Sequence, residues 1–167
     1  WYRRFSAYSL FMMATAPCSA SMPVCGTAAI MNKLYAENRR YQGITSRVPG
    51  IKHPYLNIGR IEGGTNTNVI PGKVVFKLDR RMIPEENPAD VEALIRQVIA
   101  DAVDGFNAGR PDEGIRVDIR RLLLANAMTP LPGNAPLVDA IQKHGEAVFG
   151  DKPPAVGTPL YTDVRLY

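Results

Sequence analysis

From Lys73 to Arg81 the run KVVFKLDRR places Val74, Phe76 and Leu78 on one face of an extended chain and Val75, Lys77, Asp79 and Arg81 on the other. That period of two is the signature of a strand with one buried face, and it restricts the fold more than any other feature of the chain. Just upstream, YLNIGRI, Tyr55 to Ile61, reads as a second strand. Gly63-Gly64 and Pro71-Gly72 bracket a connection of about ten residues, more than a tight hairpin needs. The pair ends in Asp79-Arg80-Arg81, a polar cluster that no hydrophobic core would ask for.

The flanking segments supply helices. GTAAIMNKLYAENRR, residues 26–40, has Ile30, Leu34 and Tyr41 at helical spacing and basic residues in its last turn, where the helix dipole favours them. Gln42 to Pro54 carries Gly, Ser and Pro and reads as a loop. Asn87-Pro88 is a cap followed by proline at the first helical position, and Val91, Leu94, Ile95, Val98, Ala102 and Phe106 continue as an apolar stripe. Ile115, Val117 and Ile119 alternate with Arg116, Asp118 and Arg120, again a half-buried strand. With a buried first strand in FSAYSLFMMATA, the order is strand, helix, strand, strand, helix, strand. That order predicts an α+β fold of the ferredoxin-like βαββαβ kind: one four-stranded antiparallel sheet with two helices on one face. MTPLPG, residues 128–133, is a Pro/Gly connector, and Leu137, Ile141 and Val148 mark a further amphipathic helix. The predicted division is therefore 1–127, a linker at 128–133, and 134–167 as part of something else.

A chain of 167 residues, 46% apolar and 22% charged, suits one domain with a real core, or one small domain plus a piece of another. Its excess of 20 basic over 16 acidic residues is dispersed as Arg pairs, which reads as solvated faces and not as a polyanion site. Arg3-Arg4 and the apolar run after them have a weak signal-peptide character, but a buried strand is the preferred reading. No apolar run approaches the roughly 20 residues of a spanning helix, so a soluble, cytoplasmic protein is expected. Cys18 and Cys25 match no zinc spacing, and His53 and His144 belong to no HxxxH, HxD or HExxH motif, so they read as surface histidines. There is no GxSxG, and EGGTNTN lacks the lysine and glycine spacing of a phosphate loop. RNA-binding domains share this element order, but GKVVFKLDR offers only Phe76, on the face expected to be buried. What remains is Asn66 and Asn68 in the connection and Asp79, Arg80 and Arg81 at the strand end. They suit either a turn held by Asn beside a solvated strand end, or a clamp in which an Arg fork and an Asn amide hold a carboxylate or carbonyl.

The run GRIEGGTNTNVIPGKVVFKLDRRMIPEE, with SMPVCGTAAI before it and GTPLYTDVRLY after it, resembles the dimerisation (lid) domain and adjoining catalytic-domain segment of the dinuclear zinc amidohydrolase and exopeptidase family. That family contains aminoacylase, acetylornithine deacetylase, succinyl-diaminopimelate desuccinylase and carboxypeptidase G. The resemblance covers about Ser19 to Tyr167 and rests on GG, NVIP, D-x-R and TD-x-R in that order. It implies a ferredoxin-like domain inserted into an α/β catalytic domain, of which residues 134–167 would be a stub, and it implies pairing of the inserted domain with its twin as a homodimer.

By motif, the resemblance assigns substrate binding to Asn68 and Arg81, and to Thr162, Asp163 and Arg165 in the catalytic segment. It assigns no catalytic residue and no metal ligand to this chain. Ser19 stands where the family usually has a His that polarises the partner's scissile carbonyl. A serine can donate a hydrogen bond there but supplies no imidazolium charge. The two zinc ions of an intact parent would be held by sequences that do not match any part of this chain, so the chain reads as a fragment, or a truncated copy, that binds no zinc itself. The implied function is dimerisation and substrate clamping in a hydrolase of amide or peptide bonds next to a carboxylate, with a small-molecule or peptide substrate and no nucleic acid or membrane partner. A free-standing dimerisation module and, more remotely, an RNA-binding ferredoxin-like domain are the alternatives.

Overall fold

The alternating segment is strand β3 (Lys73–Met82), in which every second residue from Val74 to Met82 is buried. The computed structural model describes residues 6–16, 22–111, 113–125 and 133–156. Around β3 stand β1 (Ser6–Thr15), α1 (Met22–Tyr41), β2 (Tyr55–Gly63), α2 (Pro88–Asn107), β4 (Arg116–Ala125) and α3 (Ala135–Phe149). The strands form one sheet in the order β2-β3-β1-β4, every neighbouring pair antiparallel. This is the ferredoxin-like topology that the element order predicts, with β1 and β3 central and β2 and β4 at the edges.

The core lies between the sheet and the two helices. Leu10 and Met12 of β1, Phe76 and Leu78 of β3, Ile30 and Leu34 of α1, and Ile95 and Ile99 of α2 meet there. Gly26 of α1 is a packing requirement, because a Cβ at that position would stand 2.4 Å from Ile115 Cδ1. The α2 stripe is rotated from the expected one: Val91, Ile95, Ile99 and Ala102 are buried, whereas Leu94 is exposed. The inward arc is set jointly by the sheet and α1, and that favours the line through Ile99 over the one through Leu94. β4 also runs four residues past Arg121. A register shift opposite Ser9 and Leu10 absorbs Leu122 and keeps the strand paired with β1.

Arg80 corrects the view of the strand end as wholly polar and solvated. Alternation continues past Leu78, so Arg80 points to the helix side and is 1% exposed. Its Nη2 pairs with Glu86 Oε1 at 2.5 Å, its Nη1 donates to the carbonyl of Arg81, and its guanidinium lies over the Tyr41 ring at 4.1 Å. The core accepts this cation because it is paired and hydrogen-bonded. Burial pushes the Tyr41 phenol up, partly offset by Arg80, so it stays protonated at neutral pH.

Side chains fasten the remaining joints. Asn107, at the end of α2, accepts from the Ile115 N–H at 2.8 Å and donates to the Ile115 carbonyl at 2.9 Å. It thereby pairs the backbone residue just before β4 as a neighbouring strand would. Asn38 of α1 accepts from the Leu56 N–H at 2.7 Å and covers the start of the β2 edge. The helix marked by Leu137, Ile141 and Val148 is present as α3, but none of its residues is buried. Its Gln142 donates to the Pro153 carbonyl at 2.8 Å.

Replacing Asn107 by Ala leaves both Ile115 backbone groups short of a partner in a half-buried position, at a cost of about 1–3 kcal/mol. Urea denaturation should show that loss as a lower midpoint with an unchanged slope. A midpoint equal to the wild type would mean the two bonds contribute nothing.

Candidate substrate-clamping and association surface

Because the inward residues of β3 are Val74, Phe76, Leu78, Arg80 and Met82, the residues between them lie on the face opposite the helices. Asp79 and Arg81 are therefore on the open side of the sheet. Asp79 Oδ1 accepts from the Ser9 hydroxyl of β1 at 3.0 Å, and its Oδ2 pairs with Arg81 Nε at 2.6 Å. The carboxylate is held from one side and orients the guanidinium on the other. Both side chains remain partly accessible, Arg81 at 23% and Asp79 at 32%. A planar fork held at Nε in this way suits a second carboxylate or a carbonyl oxygen.

Asn68 lies in the connection between β2 and β3. Gly64, at φ 87°, takes the chain out of β2 in a conformation that favours glycine. Asn66 shapes the turn: its side chain accepts from the Thr67 N–H at 2.8 Å and its carbonyl from the Val69 N–H at 3.2 Å. Asn68 is left exposed near the tip. The connection enters β3 at Lys73, while Arg81 is next to its far end, so most of a 10-residue strand separates the two. That is on the order of 25–30 Å. One chain does not bring Asn68 and Arg81 together. Ser19, Thr162, Asp163 and Arg165 lie outside the described residues.

A groove of about 370 Å³ runs between α1 and the end of β2, lined by Val24, Thr27, Ala28, Met31, Tyr35 and Ile61, among others. It is apolar, and Ile61 beside it is 53% exposed on a strand whose outer edge is paired by no other strand among the described residues. Thr27 Oγ1 is buried beneath the groove without a hydrogen-bond partner among the described residues. The sequence reading missed this surface, although Val24, Ala28, Met31 and Tyr35 repeat at helical spacing on the side of α1 away from Ile30 and Leu34.

The loop before β2 is fastened beside the Arg81 end of the sheet. Glu85 accepts from the Ser46 hydroxyl at 3.0 Å and from the Arg47 N–H at 3.0 Å, and Ile51 packs on Ile83. Burial works against the Glu85 charge, yet the hydrogen bonds from Arg47 and Ser46 outweigh it and hold the carboxyl below the usual glutamate range. Among the described residues no group of three or more His, Cys, Asp or Glu could hold a metal ion. His53 Nδ1 lies 3.0 Å from the Pro54 carbonyl, and His144 is exposed on α3.

A family model described as the peptidase dimerisation domain matches residues 24–106. The chain carries a peptidase dimerisation domain. No curated protein sequence matches it. Solved structures share the fold at low identity. A hydantoinase/carbamoylase family amidase from Burkholderia vietnamiensis has a TM-score of 0.67 at 13% identity, covering 99% of this chain and 38% of the amidase. Human carnosine dipeptidase 1 gives 0.66 at 16%, covering 95% of this chain and 45% of the dipeptidase. A dinuclear metal-binding peptidase from Bacillus subtilis gives 0.62 at 18%, covering 98% of this chain and 38% of the peptidase. The chain with its dimerisation domain thus spans less than half the length of these enzymes. Among the described residues no helix is long and apolar enough to cross a membrane.

The Glu85 tether carries a pH dependence. Its folded value lies below the unfolded one, so its contribution is complete above the ordinary glutamate range and is lost as pH falls through the folded value. Limited proteolysis within residues 42–54 should accelerate as pH falls below the ordinary glutamate range and through the lower folded value. Glu85→Gln should be cleaved faster at neutral pH and should lose that acid-dependent acceleration. A wild-type profile in the variant would show that Glu85 does not hold the loop.

Proposed function

We propose that this chain is the dimerising and substrate-clamping portion of a metal-dependent hydrolase of amide or peptide bonds next to a carboxylate. On this reading residues 1–127 are the dimerisation unit, 128–133 the linker and 134–167 a segment of a catalytic domain, where two zinc ions would act. The zinc would activate water and polarise the carbonyl. The chain's own contribution is to associate and to hold the substrate.

The observation that carries the reading is the pairing of an apolar groove on α1 with the β2 edge beside it, which beyond the Leu56 N–H held by Asn38 is paired by no strand among the described residues. A strand edge is a template for another strand, and the groove supplies apolar area to bury with it. Antiparallel pairing of β2 with the β2 of a second copy, across a two-fold axis, buries both features at once. It also has a consequence for the clamp. Tyr55, at the start of β2, lies opposite Arg81 of β3. The end of the partner's β2 would sit near that start, and the partner's connection would follow it. The partner's Asn68 then approaches Arg81, which Asn68 of the same chain cannot reach. The other edge also exposes Leu122, Leu123 and Leu124, but Glu92 is ion-paired with Arg96 and Arg121 beside β4 and those charges would lose water on association.

Sedimentation equilibrium at tens of micromolar should give a dimer. Ile61→Arg, at an exposed position where the folding cost is within about 0.5 kcal/mol, should give a folded monomer. A monomeric wild type would defeat the association reading. A dimeric Ile61→Arg would move the interface off this groove.

A further inference from the structure

We propose that Arg80 and Glu86 are positioning residues for Arg81, fixing from beneath the sheet the backbone on which the Arg81 guanidinium is carried. What Arg81 binds rests on the reading above. That it is positioned stands on the geometry alone.

The two arginines are adjacent in β3 and point to opposite faces of the sheet. Arg80 Nη1 donates to the carbonyl of Arg81 itself, so the peptide unit of the open-face arginine is tied to the buried one. Arg80 Nη2 holds Glu86 Oε1 at 2.5 Å, and the other oxygen of Glu86 accepts from the Ile83 N–H at 2.9 Å. The Glu86 N–H closes the loop on the Ile83 carbonyl at 3.1 Å. One ion pair, its arginine buried and its glutamate partly so, therefore grips the backbone on both sides of Met82. Tyr41, the last residue of α1, stacks on the guanidinium and anchors it to the helix layer.

Stability alone is a poor account of this arrangement, since apolar side chains of similar volume commonly serve a core as well as a buried ion pair. Apolar side chains, however, would leave the Arg81 carbonyl and the Ile83 N–H without these acceptors and donors. An arginine fork reaches the Glu86 carboxylate and the Arg81 carbonyl together, whereas a lysine has only a single flexible ammonium. Asp79 meanwhile holds Arg81 Nε on the open face. Arg81 is thus restrained through backbone and side chain, and a restrained group loses less freedom when it binds.

The test uses the whole chain labelled with nitrogen-15, with N-acetylglycine as the carboxylate probe and Arg81→Lys to assign the Arg81 Nε–H signal. Arg80→Lys and Glu86→Gln are compared with the wild type. Both variants should keep the Phe76 and Ile95 amides protected. Exchange of the Ile83 amide should accelerate about tenfold, the Arg81 Nε–H signal should leave its wild-type position, and N-acetylglycine affinity should fall about tenfold. If Arg80→Lys does not fold, Glu86→Gln decides. Folded variants in which the Ile83 exchange rate and the Arg81 signal keep their wild-type values overturn the proposal. Failure of the wild type to bind N-acetylglycine overturns the carboxylate reading instead, and the exchange and signal measurements still decide the positioning.

Discussion

The antiparallel pairing of β1 with β3 at the centre of the sheet is the constraint on which the rest of this molecule depends. It sends both crossover helices to one face, because α1 follows β1 and α2 follows β3, and each must return its apolar side to the same layer. It also makes β2 and β4 the edges. The edge at β2 carries the apolar groove, and the edge at β4 carries an ion-paired rim. The open face of the sheet, with no helix over it among the described residues, is where Asp79 and Arg81 stand.

The same pairing explains a local contradiction. Three polar residues in a row, Asp79-Arg80-Arg81, cannot all leave the core when the strand alternates, so one must point inward. Arg80 is that residue, and its charge is met by Glu86, the Arg81 carbonyl and the Tyr41 ring. The next segment is organised by that solution: Glu86 turns the chain back on Ile83, and Asn87 immediately caps α2 by accepting from the Ala89 N–H at 2.8 Å. The end of β3, the end of α1 and the beginning of α2 are thereby fastened at one point.

Much of the fold was legible because each element has its own period and punctuation. β3 was readable from Val74, Phe76 and Leu78, and α2 from the Asn87-Pro88 cap. The rotation of the α2 stripe from Leu94 toward Ile99 was not readable, since a helix with apolar residues on more than a third of its surface does not specify which arc meets the sheet. The candidate site was readable in composition and not in geometry. Asn68 and Arg81 stand out as polar residues in the run, but their places at opposite ends of β3 depend on the connection being a hairpin turn. Ser46 and Glu85 gave no signal at all, because their bond joins segments far apart in the chain.

What the sequence by itself determined are properties held in short range: strand alternation, helix period, capping, the ferredoxin-like order, and the motif run that resembles a peptidase dimerisation domain. Tertiary structure alone decided which residues meet the buried Arg80, which strand edge adjoins the apolar groove on α1, and which loop Glu85 holds. The physical reason is that periodicity assigns a side chain to a face, whereas partners across a core or along a sheet are chosen by how the elements pack.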